Sequence, residues 1–372
     1  MRIGVPAEIK DHEDRVGLVP ATVQELTHRG HEVWVEQAAG HGIGVADADY
    51  VAAGARIIAQ ADEIWAQAEM VIKVKEPLAV ERKKLRAGQL LFTYLHLAPD
   101  PEQAKDLMES GATCIAYETV TSASGALPLL TPMSEVAGRM AVQVGAHYLE
   151  NAHSGRGILL GGVPGVAPAE VLILGGGVSG ANAALMAIGM GADVTVVDRS
   201  TEVLRRLVVQ FGTRIKTLYS TQEAIATQIA KADLVVGTVL IPGAAAPKLI
   251  TRALLQTMKK GSVIVDVAID QGGCTETSRA TTHSNPTYVV DGVVHYCVAN
   301  MPGGVARTST FALNNATLPF VLALADKGWR QALADDRHLR DGLNVHDGKI
   351  THPAVAAALG LELHAAEEAL KS

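Results

Sequence analysis

The sequence has few aromatic residues, and the core must be built without them. Aromatic side chains make up only 4% of the 372 residues, while 48% of residues are apolar and 19% are charged. This balance excludes intrinsic disorder and a collagen-like chain. A core of Ala, Val, Leu and Ile is typical of helices packed on buried parallel strands, which read as continuous apolar runs.

The sequence also lacks an excess of positive charge and a cysteine framework. Lys and Arg total 32 against 39 Asp and Glu, a net charge of −7. Because no basic stripe is present, we expect no nucleic-acid partner. The three cysteines, Cys114, Cys274 and Cys297, have neither ligand-like nor disulfide-framework spacing, so we interpret them as buried thiols of a reducing compartment.

No uninterrupted apolar run is long enough for a membrane span. Between residues 157 and 192 the only charged residue is Glu170. However, Pro164, Pro168 and the glycines at 175–177 divide this stretch into pieces shorter than the roughly 20 residues that a spanning helix needs. The N-terminal residues carry charges and no apolar signal core. We therefore expect a cytoplasmic protein with no membrane partner.

What the sequence does contain is two series of alternating strand and helix patterns. A length of 372 residues suggests two domains at about 150 residues each, and strands that alternate with helices predict mostly parallel sheets. In the first series, strands are predicted at 2–6, 31–36, 70–74, 89–95 and 112–117, and helices at 20–29 and 100–110. In the second, a helix at 134–152 with Ser134 as its N-cap precedes strands at 171–174, 194–198, 214–219, 234–239 and 262–268. A final helix is predicted at 309–327, with Pro319 expected to kink or break it.

The strongest local signal is a glycine-rich loop between a strand and a helix. Gly175, Gly177 and Gly180 form a G-x-G-x-x-G pattern, and Asp198 ends the next strand 21 residues beyond Gly177. In a dinucleotide-binding fold such glycines allow a tight turn, approach of the pyrophosphate and close helix packing, and the acid binds the ribose. A carboxylate there favours NAD over NADP, although the neighbouring Arg199 is what a 2′-phosphate would need.

Four further polar residues are candidates for binding a substrate and moving a proton. Arg15 precedes the first predicted helix and is suited to holding a carboxylate in bidentate fashion, although a solvated loop arginine fits equally well. Lys75 and His96 lie at the ends of predicted strands, where α/β folds bind ligands. Lys73 is a rival to Lys75 that spacing alone does not eliminate. A surface lysine and a structural histidine are the alternatives for the other two.

Asp270 follows the strand at 262–268 and is placed to orient a histidine or activate water. Asp266, inside the predicted strand, is its rival. The sequence contains no H-E-x-x-H, no Cys/His ligand cluster and no EF-hand loop, so we expect no metal site.

The ordered set of motifs resembles the bacterial L-alanine dehydrogenase family along nearly the whole chain. The matching segments are MRIGVPAEIK, DRVGLVP, VIKVKEP, TYLHLAPD, LTPMSEVAGRMAVQ, LGGGVSG, VDVAIDQGGC and NMPGGVARTSTFALNNATLPFVLALADKGW. Departures are minor: the loop reads GGGVSG rather than a GAGVAG-like form, and Ala306 replaces a frequent proline.

The resemblance implies specific roles for the candidate residues. It implies that Arg15 and Lys75 bind the substrate and that His96 and Asp270 are the catalytic pair. The implied cofactor-binding residues are Ser134, Gly175, Gly177, Val178, Ser179, Gly180, Asp198, Ser220, Val239, Leu240, Val267, Arg279, Val298, Asn300 and Met301. It also implies a homohexamer in which a Rossmann-type NAD-binding domain, residues 130–306, is inserted into a discontinuous α/β substrate domain, residues 1–129 and 307–372.

The expected function is NAD-dependent, reversible oxidative deamination of L-alanine to pyruvate and ammonium. Three alternatives stay open at this point. The chain is also compatible with the NAD(H)-binding component of a proton-translocating transhydrogenase, with a relative that acts on a larger amino acid, and with a non-catalytic NAD-sensing module.

Overall fold

The computed structural model describes residues 1–239 and 246–371. The strands are β1 (Arg2–Val5), β2 (Glu32–Glu36), β3 (Arg56–Ile58), β4 (Met70–Ile72), β5 (Leu90–Thr93), β6 (Thr113–Ala116), β7 (Glu170–Leu174), β8 (Asp193–Asp198), β9 (Lys216–Tyr219), β10 (Leu234–Gly237), β11 (Val263–Asp266), β12 (Thr287–Val290), β13 (Val293–Tyr296), β14 (Leu343–His346) and β15 (Lys349–Ile350).

The helices follow the same chain order. They are α1 (Pro20–His28), α2 (Asp47–Ala52), α3 (Ala61–Gln67), α4 (Ala79–Arg82), α5 (Pro101–Ser110), α6 (Thr131–Tyr148), α7 (Val178–Gly189), α8 (Thr201–Phe211), α9 (Gln222–Ile229), α10 (Arg252–Leu255), α11 (Ala306–Lys327), α12 (Trp329–Asp335), α13 (Arg337–Arg340), α14 (Pro353–Leu359) and α15 (Ala366–Ala369). Within the described ranges, none of them is long and apolar enough to cross a membrane.

The chain divides into two compact units. The terminal unit consists of Met1–Met133 together with Val305–Ser372, and the inserted unit is Ser134–Gly304. The boundaries predicted from the sequence, 129/130 and 306/307, lie a few residues from these positions.

The terminal unit is built on an eight-stranded sheet in the order β15-β14-β6-β5-β4-β1-β2-β3. All pairings from β1 to β6 are parallel, and β14 adds to the edge of β6 in antiparallel orientation. Trp34 and Trp65 pack in its core with aliphatic side chains. Because parallel strands end at the same edge, the segments that follow β1, β4, β5 and β6 are neighbours.

The inserted unit contains a seven-stranded sheet in the order β12-β13-β11-β10-β7-β8-β9. Apart from the antiparallel β12–β13 hairpin, every pairing is parallel. Starting from β7, the parallel strands have the doubly wound order of a Rossmann fold, with the order reversing between β7 and β10. The α/β fold class and the Rossmann-type sheet are therefore confirmed.

Several predicted boundaries were wrong in detail. Helix α6 begins at Thr131, three residues before Ser134, because Pro132 is well tolerated in a first turn. Helix α11 runs unbroken from Ala306 to Lys327 with Pro319 inside it. The helix predicted at 100–110 is present as α5 and begins one residue later, because Asp100 is its N-cap and accepts a hydrogen bond from the Gln103 amide at 3.0 Å.

Candidate active site

Two lysines follow β4 in the terminal unit, and they differ in burial and in their carboxylate partners. Lys73 is fully buried, and its Nζ lies 2.9 Å from Glu8 and 2.8 Å from Glu81. Burial raises the pKa of Glu8 above its ordinary value, and the charge of Lys73 opposes that rise. A buried charge with two carboxylate partners is held for structural reasons. Lys73 is therefore not available to a ligand.

Lys75, by contrast, keeps 15% of its side chain exposed, and its nearest carboxylate is Glu76 at 3.8 Å. Its backbone is fixed on both sides: the amide donates to Glu8 at 3.2 Å, and the carbonyl accepts from the Thr93 hydroxyl at 3.0 Å. A rigid backbone with a loosely paired ammonium group at a strand end is the arrangement that a ligand-binding lysine requires.

Arg15 is paired differently from the expectation that its fork would be presented to a ligand. Only 2% of its side chain is exposed, and Nε and Nη2 each lie 2.6 Å from an oxygen of Glu13. Nη1 lies 3.1 Å from the sulfur of Met133. Burial opposes the charge of Arg15, but Glu13 more than compensates and raises the pKa of the guanidinium. Nε and Nη2 therefore face Glu13, and Nη1 faces Met133.

His96 lies three residues beyond β5 and has an unusual backbone. Its φ is +49°, a region that non-glycine residues adopt at a cost of about 1–3 kcal/mol and mostly at functional sites. Its amide donates to Glu118 at 2.6 Å, and its ring is stacked on Tyr94 with centroids 5.7 Å apart. The side chain is 44% exposed. The chain therefore bends to present a solvent-accessible imidazole.

Sequence reasoning missed the residues that support these groups. Glu8, Glu13, Tyr94 and Glu118 are buried or half-buried and hold Lys75, Arg15 or His96 in place. Glu118 was findable, because it follows β6 just as His96 follows β5. Glu13 was not, because nothing in the charged stretch around it distinguishes a buried acid from a solvated one.

In the inserted unit the glycine-rich loop joins β7 to α7 as predicted. Gly175 has φ +99°, and a Cβ on Gly180 would collide with the Gly175 carbonyl oxygen. Next to Gly177, in contrast, no described atom lies within 4 Å of a Cβ position, and no side chain caps the helix there. An open space at a helix N-terminus with uncapped amides fits a pyrophosphate.

Asp198, at the end of β8, lies directly against this loop. One carboxylate oxygen accepts from the Gly176 amide and the other from the Ser200 amide, both at 2.7 Å. Each oxygen has a second lone pair for a ribose hydroxyl. The exposed Arg199 follows it. The loop and Asp198 thus fit the adenosine half of a dinucleotide.

The other predicted cofactor residues lie mostly beyond strand ends of the same sheet. The carbonyl of Ser134 accepts the Ser179 hydroxyl at 2.9 Å, so α6 begins beside the loop. Arg279 stacks over Tyr288, 4.1 Å from the ring centroid. Val178 is exposed, Val298 and Met301 are buried, and Ser220, Val239, Val267 and Asn300 are half-buried. Leu240 lies outside the described residues.

The two aspartates near β11 are also separated by their surroundings. Asp266 is fully buried and accepts hydrogen bonds from the Ala268 and Cys274 amides and from the Ser278 hydroxyl. Asp270 is exposed in the 3₁₀ segment Val267–Gln271. The strand predicted to reach residue 268 ends at Asp266, so Asp270 belongs to the connecting turn.

The fold and these residues define a dinucleotide-binding oxidoreductase with a second α/β unit that carries cationic and imidazole side chains. Comparison with protein families is consistent with that class. A model described as "Alanine dehydrogenase/PNT, N-terminal domain" matches residues 4–137, and its C-terminal counterpart matches residues 141–353. The chain belongs to the alanine dehydrogenase/PNT family, as the sequence motifs predict.

Individual relatives are similar over almost their full length. An alanine dehydrogenase of Halomonas elongata is 64% identical over 362 residues, covering 97% of this chain and 98% of the relative. One of Bacillus subtilis (strain 168) is 56% identical over 372 residues, covering 100% and 98%. The solved structure of an L-alanine dehydrogenase has 54% identity and a TM-score of 0.94, covering 97% and 99%. A transhydrogenase structure from Sinorhizobium meliloti has 26% identity and a TM-score of 0.82, covering 95% and 100%.

Proposed function

We propose that the protein catalyses the reversible, NAD-dependent oxidative deamination of L-alanine. In this reaction alanine, NAD⁺ and water give pyruvate, ammonium, NADH and a proton. The observation that carries the proposal is the arrangement after β4 and β5. Lys75 and His96 follow two directly paired strands, and the rival Lys73 is held between two glutamates. A cation and a titratable imidazole at one sheet edge suit an amino or keto acid.

Substrate binding is assigned to Arg15 and Lys75. The guanidinium of Arg15, oriented by Glu13, would bind the substrate carboxylate. The ammonium of Lys75 would hydrogen-bond the keto oxygen of pyruvate. Fixing both ends of a three-carbon acid sets the position of the α-carbon, and orientation of this kind contributes up to roughly 7–11 kcal/mol in well-aligned cases.

The cofactor would be held by the glycine loop, Asp198 and the predicted contacts beyond the strand ends. When bound, NAD⁺ supplies an acceptor for the hydride that leaves the α-carbon. Asp198 would bind the ribose hydroxyls and disfavour a 2′-phosphate. Gly177 would leave room for the pyrophosphate beside the first amides of α7.

Proton transfer is assigned to His96, with Asp270 assisting. After oxidation, water adds to the imine carbon of the substrate, and the His96 imidazole would accept a proton from that water. The same group would return a proton to the departing nitrogen of the resulting carbinolamine and would take up the proton of its hydroxyl group as the C–N bond breaks, so that ammonia leaves and pyruvate forms. Glu118 and Tyr94 keep the imidazole in place meanwhile.

We also infer which unit binds which ligand, in which compartment the enzyme acts and how its chains assemble. The terminal unit would bind the substrate and the inserted unit the NAD. Following the family resemblance, the protein would be a cytoplasmic homohexamer, and light scattering on a sizing column would test the assembly. A trimer or a monomer would contradict it.

The second candidate is the nucleotide-binding component of a transhydrogenase, which the similarity to the Sinorhizobium meliloti structure favours. That function requires no anchor for a small carboxylate. The relatives at 52–64% identity, all named alanine dehydrogenases, support the first candidate instead. Relatives acting on a larger amino acid and a non-catalytic NAD sensor are the remaining alternatives.

The deciding experiment follows NADH absorbance with the full-length protein. L-alanine and NAD⁺ should produce NADH at alkaline pH, and pyruvate with ammonium should consume it. Lysine and serine are each tested in place of alanine, and NADP⁺ is tested in place of NAD⁺. If alanine gives no signal in either direction while hydride passes between two nicotinamide dinucleotides, the transhydrogenase candidate replaces the first.

A further inference from the structure

Three metal-ligating side chains meet at the C-terminal end of α6, in the inserted unit. His147 lies in the last turn of α6, Glu150 is the N-cap of the 3₁₀ turn Asn151–His153 that follows, and His153 is the last residue of that turn. One ligand atom from each residue lies within 4.8 Å of the other two. Nδ1 of His147 is 3.6 Å from a Glu150 oxygen, and the two imidazole centroids are 4.0 Å apart.

The backbone around these three residues is fixed by its own hydrogen bonds. Ser154 turns the chain back with φ +65°. The Gly155 amide then donates to the carbonyl of Glu150 at 3.1 Å, and the Gly157 amide to the carbonyl of Leu149 at 2.8 Å. Leu149 itself is fully buried. The ligands therefore project from a closed turn that is anchored in the core, and assembling them costs little chain entropy.

An ordinary surface ion pair does not account for the whole cluster. The pair of His147 and Glu150 has the common i, i+3 helical spacing, and such exposed pairs contribute little. It gives no reason for the His153 ring to pack against that of His147. Two imidazoles and a carboxylate around one point are, however, a typical ligand set for zinc.

Contrary to the expectation of no metal site drawn from the sequence motifs, we propose that His147, Glu150 and His153 bind one divalent transition-metal ion of the Zn²⁺, Cu²⁺ and Ni²⁺ class. Zinc–ligand distances of about 2.0–2.2 Å place tetrahedral donors roughly 3.3–3.5 Å apart, which small side-chain rotations reach from the present separations. His147 and Glu150 are 52% and 60% exposed, so water takes the fourth position. Mg²⁺ and Ca²⁺ prefer all-oxygen ligand sets and are not expected to bind.

The proposed site lies at the far end of α6 from the dinucleotide loop. Ser134, which contacts Ser179 of that loop, is 14 residues from Tyr148, or about 21 Å along the helix axis. The ion thus takes no part in the redox step. By joining the end of α6 to the turn that leads towards β7, it stabilises the inserted unit through binding linkage.

The test is calorimetric titration of the full-length, untagged, chelator-treated protein with ZnCl₂. We expect one saturable site per chain. Loss of a residue that only orients a metal ligand already costs about 10–100-fold in metal affinity, so His147→Gln and His153→Gln should weaken binding by about 100-fold or more. His28→Gln, an exposed histidine on α1 of the terminal unit, is the matched control and should bind as the wild type does. MgCl₂ should give no saturable heat.

Melting curves check that the variants are folded. Without metal, all three variants should melt with the wild type, because the substituted side chains are at least partly exposed. Added Zn²⁺ should raise the melting temperature of the wild type and of His28→Gln only. Equal Zn²⁺ affinity in the wild type and His153→Gln, or the absence of saturable binding in the wild type, overturns the proposal.

Discussion

Replacing Lys73 by methionine should lower the stability of the protein, whereas replacing Lys75 by methionine should lower its activity. Lys73→Met leaves the buried carboxylates of Glu8 and Glu81 without their shared cation. Removing one partner of a buried ion pair costs about 3–5 kcal/mol. For a unit of about 200 residues, each kcal/mol lowers the melting temperature by about 2–4 °C. The expected loss is therefore roughly 6–20 °C.

Lys75→Met should leave the fold intact and lower the activity. Within the described part of the chain, its carboxylate contact is with Glu76 at 3.8 Å; this pair is partly exposed and is worth less than about 1 kcal/mol. The melting temperature should therefore fall by no more than about 4 °C. A charge-assisted hydrogen bond to substrate contributes about 1.5–3 kcal/mol, so kcat/KM for alanine should fall about 10–160-fold.

The loss of melting temperature in Lys73→Met should also depend on pH. Burial raises the folded-state pKa of Glu8, and Lys73 opposes that rise. A carboxyl group whose folded pKa is raised favours the folded state at low pH, and that contribution is lost as pH rises through the folded pKa. Lys73→Met raises the pKa of Glu8 further. The melting-temperature gap between Lys73→Met and the wild type should therefore narrow from neutral to mildly acidic pH.

Differential scanning calorimetry and the NADH absorbance assay, run on the same preparations, check both variants. The reasoning is refuted if Lys73→Met melts with the wild type, or if Lys75→Met loses as much stability as Lys73→Met. A gap that widens in acid would refute the assignment of the stability effect to the Glu8 carboxylate.

Three further predictions concern the glycine loop, Asp198 and the proposed catalytic role of His96. His96→Ala should lower turnover by about 10²–10⁴-fold, the usual contribution of a general acid–base group, with NADH binding by fluorescence almost unchanged. Asp198→Asn should reduce the preference of kcat/KM for NAD over NADP at least tenfold, because a charge-assisted bond to the ribose and the repulsion of a 2′-phosphate are both lost. Gly180→Ala should lower the calorimetric free energy of unfolding by about 1–3 kcal/mol, because the added Cβ overpacks against the Gly175 carbonyl. Gly177→Ala, in contrast, should keep wild-type stability and weaken NADH binding.

Each of these has a clear contrary result. Near-normal turnover of His96→Ala removes its catalytic role. An unchanged cofactor preference in Asp198→Asn separates the carboxylate from ribose recognition. If Gly177→Ala binds NADH as tightly as the wild type, the open space beside the helix N-terminus is not the pyrophosphate site.

The two βα series could be predicted from the sequence, because each buried parallel strand is a continuous apolar run. The order of the strands within each sheet could not. β14 pairs with β6 through Leu343 and Ile115, residues more than 200 positions apart, and no local pattern encodes such a pairing. The short strand β3 was missed because Arg56–Ile58 offers only three residues, the first of which is exposed.

For the site, the sequence predicted candidate residues but not the charged side chains that surround them. The strand-end rule favoured Lys75, and spacing alone left Lys73 open as its rival. The structure separates the two lysines by placing Lys73 between the buried carboxylates of Glu8 and Glu81. Arg15 was predicted to offer its fork to a ligand, and the structure pairs that fork with Glu13. Such ion pairs depend on which charged groups the tertiary fold desolvates together, and that information is not local.

The split of the terminal unit has a consequence for how the nascent chain folds. The ribosome must make all 171 residues of Ser134–Gly304 before α11 supplies Asn314, whose amide oxygen lies 2.9 Å from the Val19 amide at the start of α1. At about 5–20 residues per second this takes roughly 9–34 s. Throughout that interval the outer edge of β6 has no β14 to pair with, so the earliest part of the protein to be synthesised is among the last to be completed. An unpaired strand edge is prone to pair with another chain. We therefore expect chaperone binding to prevent aggregation mainly while this protein is still being synthesised on polysomes.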